Sequence, residues 1–118
     1  MTLATTKPVW RSSKPALKDI NWVSGPDRKL THNTYRETDS DGHPCVRFHS
    51  TIIITQLSLN SYRLNTGGWE TSTTKQRLNA LLHGTGINVW QEKFVWWITD
   101  LSHGPVDREF YDNMEVIA

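Results

Sequence analysis

A strand that ends in a double glycine and hands over to a short capped helix constrains this chain most. The segment runs Leu64-Asn65-Thr66-Gly67-Gly68-Trp69-Glu70-Thr71-Ser72-Thr73-Thr74-Lys75-Gln76-Arg77-Leu78-Asn79. Glycine pairs end a strand because they adopt backbone angles other residues avoid. Ser72 or Thr73 then offers an N-cap for a helix running to about Leu82. Leu78, Leu81 and Leu82 recur at helical spacing and form one apolar stripe, and Gly84 supplies a stop. A single stripe of this kind has to be covered, and the flanking chain reads as strands, so the helix lies on a sheet.

The strands follow from alternation. Residues 31–37 read as a short strand, and Asp39-Ser40-Asp41-Gly42 as a turn. Residues 45–55 read as one long strand, with Val46, Phe48, Ile52 and Ile54 on one face and Arg47, His49, Thr51 and Thr55 on the other. Residues 61–65 form the next strand, with Tyr62 and Leu64 inward. After the helix, 87–92 and 94–99 read as two strands joined by a tight turn near Glu92-Lys93, and Phe110 to Val116 as an edge strand. The element order is β-β-β-α-β-β-β: an α+β domain with an antiparallel sheet, one short helix packed on it and an extended N-terminal arm.

Residues 1–28 form the arm and residues 29–118 the domain. The arm holds Pro8, Pro15 and Pro26 among serines, and no helical or strand period persists in it. Trp10 and Trp22 sit inside it, and each is expected to dock on the domain or on a partner. Charge is uneven. Residues 1–36 carry seven cations against two carboxylates, a net +5, while residues 37–118 carry six against ten, a net −4. A basic arm on an acidic body suggests an electrostatic partner. The whole chain is only +1, which argues against a general DNA binder.

Cys45 is the single cysteine, so the fold needs no disulfide. No secretory signal is visible at the N-terminus. The longest apolar run, Ile52-Ile53-Ile54, is far short of the ~20 residues a membrane helix needs. The chain therefore reads as soluble and cytoplasmic, with no membrane partner.

Candidate sites come in three groups. At the helix entrance, Thr73 and Thr74 offer hydroxyls, Lys75 and Arg77 offer charge, and the glycines allow close approach, a setting that favours an anion. The same residues also make sense as a cap, a turn and an anchor. On the polar face of the long strand, Arg47, His49 and Arg63 project beside Tyr35, a face suited to nucleic acid. A positive strip joining Arg47, Arg63, Lys75 and Arg77 would favour nucleic acid, whereas a broken strip beside an exposed tryptophan would favour a protein. Trp10, Trp22, Tyr35, Trp69 and Trp96 are the interface candidates, and an aromatic strand edge makes a homodimer plausible. His43, Cys45 and His49 lack a fourth ligand, so no metal is expected. Cys45 with either histidine lacks an orienting group, so no catalytic residue, no cofactor and no enzyme activity is expected.

Three segments carry a resemblance: Lys29-Leu30-Thr31-His32-Asn33-Thr34-Tyr35, Val46-Arg47-Phe48-His49-Ser50-Thr51, and Leu64 to Asn79. Together they resemble a group of small, mostly uncharacterised bacteriophage proteins, over roughly residues 29–100. The resemblance implies phage origin and expression in the cytoplasm of an infected bacterial host, and no established reaction. With the near-neutral charge and spare aromatics, it points to a non-enzymatic binding protein acting on a host macromolecule, most simply a protein, in host takeover or anti-defence. The alternative is a nucleic-acid or nucleotide/phosphate binder using residues 71–77.

Overall fold

The computed structural model describes residues 15–102, 104 and 106–118. Nine strands, one α-helix and one short 3-10 turn make up the regular structure there. The strands are β1 (Arg28–Thr31), β2 (Thr34–Thr38), β3 (Pro44–Phe48), β4 (Thr51–Ser58), β5 (Ser61–Leu64), β6 (Ile87–Glu92), β7 (Val95–Asp100), β8 (Val106–Glu109) and β9 (Met114–Ile117); the helix α1 spans Ser72–Leu81. All strand pairs are antiparallel. Six strands form one sheet in the order β1-β2-β3-β4-β5-β9, and β6-β7-β8 form a second.

The α+β reading with one short helix holds, with the expected single sheet resolved into two. One core joins them. Val46, Ile54, Leu64, Met114 and Val116 line the large sheet's inner face, and Ile87, Val89, Trp96 and Ile98 that of the small sheet. The Leu78, Leu81 and Leu82 stripe of α1 is buried in the same cluster. Burying each such side chain contributes about 1.5–3 kcal/mol.

Two expected strands are hairpins. Residues 45–55 do not form one strand: Phe48 pairs with Thr51 across a tight His49-Ser50 turn. Residues 31–37 divide likewise, with Thr31 opposite Thr34 across His32-Asn33. Asn33 (φ 52) and His49 (φ 54) both adopt left-handed backbone, which Asn tolerates and a bulky residue reaches only at a cost. The turns support each other, because the His49 N–H donates to the Asn33 carbonyl at 2.9 Å. A bulge between Val46 and Arg47 then resets the phase of β4, so Ile53, Ile54 and Thr55 are all buried. The β6–β7 turn falls one residue later than expected, at Lys93-Phe94, and the 110–116 strand starts at Met114 and is indeed an edge. β8 was not expected.

The expected arm reaches into the core. Leu17–Asp19 form a 3-10 turn, and Trp22 is buried with its indole N–H donating to the Leu81 carbonyl at 2.9 Å. Its ring lies 6.2 Å from that of Tyr62. Arg36, also buried, holds the chain down: Nε donates to the Trp22 carbonyl, Nη2 to the Val23 carbonyl, and Nη1 to Asp27 at 2.7 Å. Trp10 lies outside the described residues.

Candidate binding cleft at the helix entrance

A cleft of about 690 Å³ opens where α1 begins. Three loops and the helix build it. The β1–β2 turn brings His32 and Asn33, the β3–β4 turn brings His49 and Ser50, and the loop after β5 brings Thr66 and Trp69. Thr73, Thr74 and Arg77 come from α1. The three sequence segments of the phage-protein resemblance thus meet in one place.

The double glycine sets the loop. Gly67 has φ +65, and a Cβ there would stand 2.7 Å from Thr51 Oγ1, so only glycine fits this close crossing of β4. Asp112 organises the same loop. Its Oδ1 accepts from the Thr66 N–H at 2.7 Å and the Thr66 hydroxyl at 2.8 Å, and its Oδ2 accepts from the Gly68 N–H at 3.2 Å. Asp112 was missed by sequence reasoning because its partners lie 44 and 46 positions away. The N-cap is Thr71, not Ser72 or Thr73: its side chain accepts from the Thr74 N–H at 3.2 Å.

The two helix cations part company. Residues two apart on a helix point about 200° from each other. Arg77 lines the cleft, where Nε donates to Thr34 Oγ1 at 3.0 Å and the guanidinium lies 5.4 Å from the Phe48 ring centre. Lys75 instead places Nζ 5.9 Å from the Trp96 ring centre and does not line the cleft. Of the two threonines, Thr74 is buried against the cap and Thr73 is exposed.

The expected polar strand face also divides. Arg47 and Arg63 lie on the large sheet's outer face, away from α1, and each meets a carboxylate: Arg47 Nε donates to Glu37 at 2.9 Å and Arg63 Nη2 to Glu115 at 3.3 Å. Arg47 and Lys29 flank the Tyr35 ring there, at 4.7 Å and 5.9 Å from its centre. His49 does not share that face. Its place in the turn puts it at the cleft rim, against Phe48.

Among the tryptophans, Trp69 is 69% exposed on the cleft wall. Trp96, expected at an interface, is 2% exposed and packs on Phe110, because the inner face of β7 carries Trp96 and Ile98. Trp22 is likewise a core residue. Trp90 and Trp97 stack on the outer face of the small sheet, with the Trp90 indole donating to Thr99.

Burial pushes the Cys45 thiol up to about 11, with the Asp39 and Glu37 carboxylates adding to the effect. Such a thiol is a poor nucleophile. Asp39, Asp41 and His43 gather within 4.8 Å in the β2–β3 turn. Asp39 accepts the backbone N–H groups of both His43 and Asp41, and the His43 contact first among them holds its carboxyl below the usual range. These are the bonds the turn itself requires.

A family model described as the Kyanoviridae Gp96 protein matches residues 16–117. The chain belongs to this family. Kyanoviridae Gp96 is a phage protein family, so the phage origin implied by the resemblance stands. The Gp96 match begins just before the 3-10 turn and so includes Trp22 with the domain it packs on. No curated protein and no solved structure matches the chain. No helix among the described residues is long and apolar enough to cross a membrane.

Proposed function

We propose that this Gp96-family chain is a non-enzymatic phage binding protein that engages a host protein through the cleft at the entrance of α1. The distribution of cations around an exposed tryptophan carries this reading. A polynucleotide needs successive cations to neutralise successive phosphates. Arg47 and Arg63 face away and are each bridged to a carboxylate, and Lys75 lies over Trp96, so the positive strip is broken. Trp69 stands exposed in the cleft that Arg77 also lines. Exposed Trp and Arg flanking a concavity are the residue types that dominate protein interfaces.

The experiment is capture from host lysate with the full chain, followed by reconstitution of the purified pair. Trp69→Ala is expected to weaken the reconstituted complex by about 2 kcal/mol or more, the range of an interface hot spot. A complex indifferent to Trp69→Ala, or retention of nucleic acid alone with a steep salt dependence, would contradict the reading. The nucleotide or phosphate reading rests on Arg77 and Thr73, which meet in the cleft without a carboxylate between them. Titration with inorganic phosphate and nucleotides tests it.

A further inference from the structure

A second cleft, of about 700 Å³, lies along β1, and His32 of the β1–β2 turn borders both. Among the described residues, no carboxylate lines either cleft. Arg28 and Lys29 line the second and Arg77 and His49 the first, and His32 lines both. Among the described residues, all three cations have neutral partners. Arg28 donates to the carbonyls of Ser24, Pro26 and Asn21, Lys29 lies over the Tyr35 ring, and Arg77 meets Thr34 and the His32 carbonyl. Carbonyls satisfy the donors and leave the positive charge uncompensated.

Of the nearby acids, Asp19 precedes Ile20 but does not line the cleft, and two others are engaged elsewhere. Asp27 is held by Arg36 and Thr38, and Glu37 by Arg47. Glu70 follows Trp69 in sequence, but does not line the cleft. The charge pattern therefore runs opposite to the rest of the domain, which is net acidic from residue 37 onward.

The backbone adds a second condition. Among the described residues β1 is an edge strand, paired only with β2, and its residues Arg28 to Thr31 form one wall of the second cleft. An edge offers a row of N–H and C=O groups to an added strand. Ile20 and Leu30 supply aliphatic lining there, suited to peptide side chains and unable to stack bases.

We infer that the two clefts take one extended acidic peptide segment of the partner protein, added along β1 and continuing past their shared His32 toward Arg77 and Trp69. This rests on the protein-binding reading above and names the chemistry of the partner.

The test uses the full chain and four fluorescent probes of equal length: a peptide alternating Glu with Val, the same peptide with Gln for Glu, the same with Lys for Glu, and oligothymidylate. Anisotropy is expected to show the Glu peptide binding about tenfold or more tighter than the Gln peptide, as charge-assisted bonds require. Affinity should fall as salt rises. Lys29→Gln, at an exposed position that keeps the fold, should weaken the Glu peptide severalfold and leave the Gln peptide unchanged. N-methylation of alternate backbone amides in the Glu peptide should also weaken it, which separates strand addition from simple charge attraction. Equal binding of Glu and Gln peptides, tighter binding of oligothymidylate, or indifference to Lys29→Gln overturns the inference. A host protein captured through Trp69 that lacks an acidic segment would overturn it while leaving the protein-binding reading intact.

Discussion

Replacing Trp22 by alanine removes a side chain that is 4% exposed and bridges the N-terminal segment to two parts of the core. Its ring lies against Tyr62 of β5, and its indole N–H satisfies the Leu81 carbonyl at the end of α1. Truncating a buried tryptophan costs about 3–5 kcal/mol, through lost transfer energy and the cavity left behind. At roughly 2.1 cal/mol/K per residue, a 118-residue chain has an unfolding entropy near 250 cal/mol/K. The expected fall in Tm is therefore about 12–20 °C. Trp22→Phe keeps most of the apolar area and loses the hydrogen bond, so it should cost about 1–3 kcal/mol. Trp69→Ala, at an exposed site, is the control and should move Tm by no more than the ~0.5 kcal/mol typical of surface changes. Calorimetry on the three variants reads the comparison. If Trp22→Ala behaves like Trp69→Ala, the segment before β1 is not part of the cooperative unit and the packing described for it is wrong.

Gly67→Ala forces a Cβ to within 2.7 Å of Thr51 Oγ1 at a positive φ, so it should destabilise by about 1–3 kcal/mol and weaken any ligand of the cleft, measured by denaturant melts and by titration. Lys93-Phe94→Asn-Gly should stabilise by roughly 1 kcal/mol, because both residues of that turn have positive φ (51 and 68) and Phe94 is exposed; an unchanged urea midpoint would count against the strain. Thr71→Ala removes the helix cap and should cost about 1 kcal/mol by the same melts. The Cys45 shift from 9.0 to about 11 means that the folded thiol keeps its proton where the unfolded one loses it, so stability on this account is full below pH 9.0 and is lost as pH rises toward about 11. Iodoacetamide at mildly alkaline pH should modify the folded protein about a hundredfold more slowly than the urea-unfolded chain, because the buried thiol is that much less ionised.

Period and punctuation made the helix legible. Leu78, Leu81 and Leu82 carried the stripe, Gly84 the stop, and the hydroxyl run the cap region, although which hydroxyl caps depends on where the loop from Gly68 arrives. The two missed hairpins have a common cause. Neither His32-Asn33 nor His49-Ser50 carries the glycine that marks most two-residue turns. The alternation of Val46, Arg47 and Phe48 also runs on without a visible break into Thr51 and Ile52, while the bulge that shifts the phase is recorded only in the pairing with β3. The helix-entrance site was half legible. Arg77 could be named, but pairing it with Lys75 overlooked the angular spacing of helix residues. Grouping His49 with Arg47 followed from the unbroken strand. Asp112 was invisible because its bonds to Thr66 and Gly68 span 46 and 44 positions, which no local pattern encodes.

Hydrogen–deuterium exchange of the protein, free and bound to the host protein it retains, shows whether that partner sits in the cleft. New protection is expected in residues 32–33, 48–51 and 66–74, the segments that wall the cleft at the entrance of α1. Protection confined to the β6–β7 hairpin around Phe94, with those three segments exchanging as in the free protein, would contradict it.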